Sequence, residues 1–390
     1  MGEIESKLHE LASNMIRKRW QCELKRGMMA AMADWTSRSE ITGDVVFFRY
    51  ASLDLEKNVE TVFIWDLDQT YLDTAINSLS GLLQTVLEKA FTKKNIPATN
   101  TLLQSLAEER KIQAANQMFF PCYFITASPP QMEERIAEKF KFDEIFPLGC
   151  FYKDNLKNLR PGRFWRLRKQ VGYKLQSLLQ LRTRLSPDVR QICFGDDSES
   201  DAIIYNLYSD ICARRLSTSE IRQVLTKFNV TGDQVDTILM LQSQIVEQDP
   251  IEKIYINLAT DTDPEYYLRF GRRTLPTYNT FQIALDLYQD GRLKLPAVST
   301  IAQDMIYNYN YTPEELLKGM DDLIRRRVLG ERAFLNLRSQ FMAQGMMDEH
   351  FLLSMQPLKE QKVVDNAVYE LEGLFEPWVP ERIDYLNDYR

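Results

Sequence analysis

The stretch TVFIWDLDQT, residues 61–70, joins a continuous apolar run to three polar residues at regular spacing. The run is rich in β-branched and aromatic residues, which is typical of a strand that is buried on both faces. It ends at Asp66 and Asp68, and Thr70 follows two residues later. Two neighbouring carboxylates repel each other unless a cation compensates them. The stretch therefore predicts a central strand with a polar, cation-dependent site at its carboxyl end.

Similar apolar runs recur along the chain and alternate with amphipathic segments. Those predicted as strands are TVFIWD (61–66), CYFIT (122–126), QICFG (191–195) and KIYINL (253–258). Apolar residues at helical spacing occupy 82–91 and 175–179, between these runs. Strands that are apolar on both faces and alternate with helices predict an α/β fold, a three-layer α/β/α arrangement around a parallel sheet.

The pattern changes toward both ends of the chain. Residues 1–40 favour a helix, so we expect a helical N-terminal segment over 1–57. The alternating strand and helix pattern occupies 58–290, and strand signals fade beyond it. Thr312-Pro313-Glu314-Glu315 is a capping box with proline at the first helical position. We therefore predict a mainly helical C-terminal region over 291–390.

Composition limits the functional classes. The chain has 390 residues, 44 % of them apolar, and a net charge of −7, which argues against broad nucleic-acid binding. No apolar run approaches the ~18 residues of a membrane span, and the charged start lacks a signal-peptide core. Five dispersed cysteines without a C-x-x-C pair fit a reducing compartment, so we expect a cytoplasmic protein.

Histidine is too scarce for several common mechanisms. The chain has two histidines, His9 and His350, near its opposite ends. A Ser-His-Asp triad or a histidine-rich metal centre would have to use one of them. The nucleotide-binding fingerprints G-x-x-x-x-G-K-[ST] and G-x-G-x-x-G are absent from the sequence. The chemistry is therefore expected to depend on carboxylates.

Polar residues follow each of the first three predicted strands, where ligands bind in an open parallel sheet. The candidate site residues are Asp66, Asp68, Thr126, Ser128, Lys174, Asp196, Asp197 and Asp201. Clustered carboxylates with few histidines nearby suit Mg²⁺. A carboxylate at the end of the first strand can act as a nucleophile toward phosphorus without a base to activate it.

These residues resemble the four motifs of the haloacid-dehalogenase-like (HAD) phosphatases, in the same order. The motifs are Asp66-Leu67-Asp68-Gln69-Thr70, Thr126, Lys174, and Gly195-Asp196 with four residues before Asp201. Within that superfamily, FITASPPQ, GYKLQSLLQL and GDDSESDAIIY look most like the phosphatidate phosphatases of the actin-patch-protein type. The resemblance implies a HAD-like Rossmannoid fold for 58–290 and a phosphoric monoester hydrolase with Mg²⁺ as cofactor.

The chain departs from that phosphatidate phosphatase pattern in each of the last three motifs. The second motif is Thr126-Ala127-Ser128-Pro129 where the family has a Ser-Asn-Ser-Pro-like sequence. Tyr173 precedes Lys174 where the family has histidine, and Asp197 stands where serine is usual. The catalytic positions remain filled, and the lipid substrate stays open.

The resemblance also implies roles for the residues of the first two motifs. Asp66 would be the nucleophile that becomes an aspartyl-phosphate, and Asp68 the general acid and base. Asp68 would also reach the metal through its main-chain carbonyl. Thr126 would hydrogen-bond a phosphoryl oxygen. Ser128 would either contact phosphate or satisfy the turn before Pro129.

The remaining motifs supply the cation and the metal ligands. Lys174 would neutralise Asp66 and the phosphoryl group. Asp66, Asp68 and Asp196 would ligate Mg²⁺, and Asp201 would bind the ion or orient its waters. Asp197 competes with Asp196 as the ligand.

A basic stretch interrupts this acidic chain. Residues 153–190 contain eleven Lys or Arg against Asp154 and Asp188. This stretch could bind an anionic macromolecule or a lipid headgroup, or it could form a solvated helix face. Between Asp68 and Thr126 there is room for only a small cap, so the site is either open or closed by the helical C-terminal region.

Three functions remain compatible with the sequence. The leading hypothesis is hydrolysis of a phosphate monoester on a phosphorylated substrate of unknown class. A second is phosphoryl transfer to an acceptor other than water. The third is a catalytically silent HAD-fold binding or scaffold protein, against which the full set of catalytic side chains argues.

Overall fold

The computed structural model of the chain describes residues 35–52, 59–73, 94–114, 117–154, 170–198, 200–259, 262–358 and 376–387. The predicted helix over 82–91 and the first 34 residues lie outside these ranges. So do Cys22, His9 and much of the basic stretch.

Within the described residues the strands form a single nine-stranded sheet. The strands are β1 (Ser39–Thr42), β2 (Val45–Arg49), β3 (Thr61–Asp66), β4 (Ile112–Ala114), β5 (Gln117–Thr126), β6 (Pro147–Lys153), β7 (Arg190–Asp196), β8 (Ile251–Asn257) and β9 (Thr274–Thr277). Their order is β1-β2-β6-β5-β3-β7-β8-β9, and β4 pairs with β5. The six strands from β6 to β9 in that order run parallel, whereas β1, β2 and β4 pair antiparallel. The centre of the sheet is thus parallel, as predicted.

Helices cover both faces of the sheet. They are α1 (Thr99–Arg110), α2 (Glu133–Phe142), α3 (Val171–Arg184), α4 (Asp201–Cys212), α5 (Thr218–Lys227), α6 (Gly232–Gln244), α7 (Thr280–Gln289), α8 (Leu295–Tyr309), α9 (Pro313–Arg325) and α10 (Glu331–Ala343). Residues of β3 alternate between the two cores. Phe63 and Trp65 pack with α1, α2 and α7 to α10, whereas Val62 and Ile64 pack with α3 to α6. The α/β three-layer fold is therefore confirmed.

The helical prediction for the N-terminal segment is wrong over residues 39–49. These residues form the β1–β2 hairpin, whose turn includes Gly43 at φ +62°. Val45 to Phe48 are four consecutive buried residues that are β-branched or aromatic. Such residues pack well in a strand with both faces covered, and they lose side-chain freedom in a helix. Pairing of β2 with β6 places this hairpin at one edge of the sheet.

The C-terminal helices share a core with the sheet. Leu316, Leu337 and Phe341 belong to the same buried cluster as Phe63 and Trp65. The part of this region that the structure describes is therefore one layer of the α/β sandwich, covering one face of the sheet. The predicted domain limits at residues 57 and 290 stay a prediction. No helix among the described residues is long and apolar enough to cross a membrane.

Candidate active site

The predicted site residues lie at the carboxyl ends of three adjacent strands. Asp66 ends β3, Thr126 ends β5 and Asp196 ends β7. Because β5, β3 and β7 are neighbours in a parallel arrangement, their ends meet at one edge of the sheet. Lys174 reaches this edge from the first turn of α3, and Asp201 begins α4. Residues far apart in sequence are thus brought together as predicted.

Three carboxylates form a compact buried cluster. Single oxygens of Asp66, Asp196 and Asp201 lie within 4.8 Å of one another, and all three residues are buried. The Lys174 ammonium lies 2.8 Å from Asp66 Oδ1 and 2.5 Å from Asp201 Oδ1. Buried carboxylates this close together repel one another, and the Lys174 ammonium offsets part of that repulsion. The cluster is therefore a candidate site for a metal cation.

The donor set fits a hard divalent ion. It consists of oxygen ligands, and hard cations such as Mg²⁺ prefer these to nitrogen or sulfur. Within the ranges that the structure describes, this is the group of side chains close enough to hold a metal ion. The three aspartates can therefore bind a metal. Asp68 lies outside this carboxylate group, and its predicted contribution through the main chain stays a prediction.

Asp196 and Asp197 point to different partners. The Asp196 carboxylate accepts hydrogen bonds from Ser198 N at 2.5 Å and Thr70 Oγ1 at 3.3 Å. The Asp197 carboxylate instead accepts from Ala259 N at 3.0 Å and Thr262 Oγ1 at 2.5 Å, in the segment after β8. Of the two, only Asp196 belongs to the acidic cluster. This geometry favours Asp196 as the metal ligand.

The fourth motif has its spacing for a steric reason. A Cβ on Gly195 would collide with the side chain of Asp201, so glycine lets this carboxylate approach β7. Asp201 Oδ2 accepts a hydrogen bond from Asp196 N at 3.3 Å. Ser200, directly before Asp201, adopts a left-handed conformation at φ +67°. The turn between β7 and α4 therefore directs both aspartates into the cluster.

Asp68 and Thr126 face each other across the site. Thr126 Oγ1 donates to Asp68 Oδ2 at 2.8 Å and accepts from Ser128 N at 3.0 Å. All three residues are buried. Gln69 adopts φ +58° and its N–H donates to Leu72 O, which turns the chain sharply after Asp68. The side chain proposed to move protons is thus held beside the hydroxyl proposed to bind phosphate.

Two residues of this site were absent from the predicted set. The Thr70 hydroxyl bonds to Asp196, and the D-x-D-x-T motif was the available signal for it. Tyr173, next to Lys174, donates its hydroxyl hydrogen to Thr126 O at 2.7 Å. Nothing local in the sequence indicates that contact, because helix α3 and strand β5 meet only in the folded chain.

The described members of the basic stretch mostly face inward. Lys153, Lys174 and Arg182 are buried, and Arg182 donates to the carbonyls of Pro187 and Val189. Arg184 lies 2.7 Å from Glu40. The basic residues Lys157, Arg160, Arg163, Arg166, Arg168 and Lys169 lie outside the described residues. The predicted anion-binding surface on this stretch therefore stays a prediction for these six residues, whereas the described Arg190 is exposed.

Comparison with known families bears on this site. Residues 61–223 match the family model described as phosphatidate phosphatase APP1, catalytic domain. The matched segment runs from β3 into α5 and contains every predicted site residue. The predicted resemblance is confirmed, and the match indicates a phosphatase domain. No curated protein and no solved structure matched the chain in the same comparisons.

Proposed function

We propose that the chain is a Mg²⁺-dependent, HAD-like phosphatase that hydrolyses a phosphate monoester through an aspartyl-phosphate on Asp66. The observation that carries the proposal is the position of Asp66 within the matched segment. Its buried carboxylate ends the central strand, 2.8 Å from the Lys174 ammonium and beside two further carboxylates. The grouping of three buried carboxylates with this ammonium at the end of the central strand supports a catalytic role.

The first half of the reaction transfers the phosphoryl group to the protein. An Asp66 carboxylate oxygen attacks phosphorus, forming an O–P bond while the bond from phosphorus to the ester oxygen breaks. Asp68 donates a proton to that leaving oxygen, which departs as an alcohol. When substrate binds, the Thr126 hydroxyl turns its one hydrogen from Asp68 to a phosphoryl oxygen, and the ammonium of Lys174 offsets the negative charge around that oxygen.

The second half returns the protein to its starting state. Asp68, now a carboxylate, accepts a proton from water, and the water oxygen attacks phosphorus. The bond between Asp66 and phosphorus breaks, which releases inorganic phosphate and regenerates the carboxylate. Mg²⁺ would be held by Asp66, Asp196 and Asp201, and when bound it supplies positive charge against repulsion between these carboxylates and the phosphate.

Phosphatidate is the substrate class that we propose first. The matching family model is named for a phosphatidate phosphatase, and the site can accept any monoester whose phosphate reaches Asp66. The basic residues in the sequence between 154 and 170 support a preference for a substrate on an anionic surface, because positive charge is attracted to such a surface. Buried cysteine thiols at positions 122, 150, 193 and 212 support a reducing compartment such as the cytoplasm.

The proposal is tested by hydrolysis assays with two substrates. Dioleoyl phosphatidate in detergent micelles and p-nitrophenyl phosphate are each incubated with Mg²⁺, with EDTA, and with EDTA followed by excess Mg²⁺. We expect phosphate release from phosphatidate that EDTA abolishes and Mg²⁺ restores. Hydrolysis of the aryl ester alone would support the phosphatase activity and exclude phosphatidate as a substrate. Release that persists in EDTA, or no release from either ester, would overturn the proposal.

A further inference from the structure

The hydroxyl of Tyr173 contacts the end of β5 rather than the acidic cluster. This tyrosine is fully buried, and its OH donates to the main-chain oxygen of Thr126 at 2.7 Å. The following residue, Lys174, contacts Asp66 and Asp201. The first turn of α3 therefore contacts the ends of β5 and β3 at once, through two consecutive side chains.

The loop after β5 is held from a second direction. Ser128 O accepts a hydrogen bond from Lys153 N at 3.2 Å, at the end of β6. Between these two anchors, Ser128 N donates to the Thr126 hydroxyl at 3.0 Å. That hydroxyl donates to Asp68 in this structure and is the group proposed to donate to phosphate when substrate binds. The position of its oxygen depends on how the Thr126 peptide is held.

We propose that Tyr173 is a positioning residue for Thr126, orienting the threonine hydroxyl toward the transferring phosphoryl group. The inference rests on the proposed phosphatase function. A buried phenol provides a long, rigid donor that reaches the strand carbonyl from the helix.

The environment of Tyr173 keeps its hydroxyl neutral. Burial raises the pKa of Tyr173 well above its usual value, and the smaller lowering effects of Ser177 and Lys174 do not reverse this shift. Lys153 Nζ lies 6.0 Å from the centre of the Tyr173 ring, and Ser177 Oγ donates to the Tyr173 carbonyl. The hydroxyl thus remains a donor throughout the pH range of an assay.

Tyr173→Phe tests the inference because it removes the hydroxyl and retains the ring. Misplacing a group that acts in the transition state lowers kcat more than it alters KM. We expect kcat to fall about tenfold and KM for the hydrolysed ester to change less than about threefold. The Ki of vanadate, which mimics a five-coordinate phosphorus, should rise about tenfold, and the Ki of inorganic phosphate should rise less.

Tyr208→Phe is the matched control. Tyr208 is equally buried in the same core cluster, and its OH donates to Gln191 Oε1 at 2.9 Å, near the opposite end of β7. Removing this hydroxyl should cost similar stability, measured by thermal unfolding, without lowering kcat or vanadate affinity. The two variants together separate positioning of Thr126 from a general loss of core hydrogen bonds.

Each outcome decides between the two proposals. A wild-type protein that hydrolyses the ester, combined with an unchanged kcat in Tyr173→Phe, would overturn the positioning role and leave the phosphatase intact. Equal losses of kcat in both tyrosine variants would overturn it as well. If the wild-type protein neither hydrolyses an ester nor binds vanadate, the proposed phosphatase function is wrong, and the positioning role of Tyr173 is wrong with it.

Discussion

Lys174 places one ammonium between two buried carboxylates, and its removal has two separable effects. Lys174→Met leaves Asp66 and Asp201 without this partner, which we expect to reduce the free energy of unfolding by about 3–5 kcal/mol. It also removes positive charge from the proposed phosphoryl site, so we expect kcat to fall at least about a hundredfold. Urea unfolding and steady-state hydrolysis measure the two effects.

Lys139→Met is the control for this prediction. Lys139 is also a buried lysine, on α2, and its ammonium lies 2.5 Å from Asp143, which directly follows that helix. It should lose stability while keeping its activity at a temperature where it is folded. Equal activity losses in the two lysine variants would show that Lys174 acts only through stability.

The neighbours Asp196 and Asp197 provide a second test at the residue scale. Asp196 lies in the acidic cluster, whereas Asp197 binds Ala259 and Thr262. Asp196→Asn should raise the Mg²⁺ concentration for half-maximal hydrolysis by at least about tenfold. Asp197→Asn should leave this concentration nearly unchanged and lower the melting temperature. The opposite pattern in a Mg²⁺ titration would make Asp197 the ligand.

At the scale of elements, a polar network at the amino end of β8 is expected to make stability depend on pH. Lys253 Nζ lies 2.8 Å from Asp286 and 3.6 Å from Asp290, which follows α7. Burial raises the pKa of Asp290 to about 6, opposed by Lys253 and assisted by Asp286 and Glu252. A raised pKa means that the folded state binds the proton more tightly than the unfolded state.

Asp290→Asn tests this pH dependence. The contribution of Asp290 to stability is most favourable below about pH 4 and declines until about pH 6, where the folded state also releases the proton. We therefore expect the asparagine variant to be about 1–2 kcal/mol more stable than the wild type at pH 7. The difference should vanish near pH 4. Thermal unfolding between pH 4 and 8 measures it, and Asp188→Asn, at an exposed site, serves as the control. Equal stability at pH 7 would contradict the assignment.

The central elements could be predicted from sequence because their signal is local. β3, β5, β7 and β8 are buried on both faces, so their apolar runs are visible without knowledge of their partners. The carboxyl ends of adjacent parallel strands lie at the same edge of a sheet, so the acidic residues that follow these strands could also be predicted to lie together. The β1–β2 hairpin joins the sheet through the pairing of β2 with β6, and β9 joins it through β8, so the placement of these short strands depends on residues outside their own sequences. The Tyr173 contact was missed for the same reason.

At the scale of the whole molecule, the last described segment links the edge of the sheet to one of the two helix layers. Arg272 N donates to Pro377 O at 3.0 Å, and Arg273 N donates to Trp378 O at 3.2 Å. Tyr385 donates to Asp210 on α4. This segment, 376–387, therefore joins the residues before β9 to the helix layer formed by α3 to α6.

Gly271 makes this docking possible. It adopts φ +77°, and an added Cβ would lie 2.6 Å from Pro380 Cδ and 2.7 Å from Trp378 O. Gly271→Ala should therefore cost about 2–4 kcal/mol of stability, from backbone strain together with the collision. It should also release segment 376–387, so that trypsin cleaves after Arg382 faster than in the wild type.

Gly291→Ala separates strain from collision. Gly291 also has a positive φ, +66°, but an added Cβ meets nothing within 4 Å. Backbone strain alone should lower the free energy of unfolding of this variant by about 1 kcal/mol, and cleavage after Arg382 should be unchanged. Equal destabilisation and equal cleavage in the two variants would contradict the proposed docking contact.

The nucleophile assignment is tested most directly by trapping the covalent intermediate. The protein is quenched during turnover, reduced with borohydride and mapped by mass spectrometry, because reduction of an aspartyl-phosphate yields homoserine at the modified position. Asp66→Asn, which keeps the size of the side chain, is treated in parallel and should be folded and inactive. We expect homoserine at position 66 in the wild type alone. Modification at another residue, or undiminished turnover in Asp66→Asn, would contradict it.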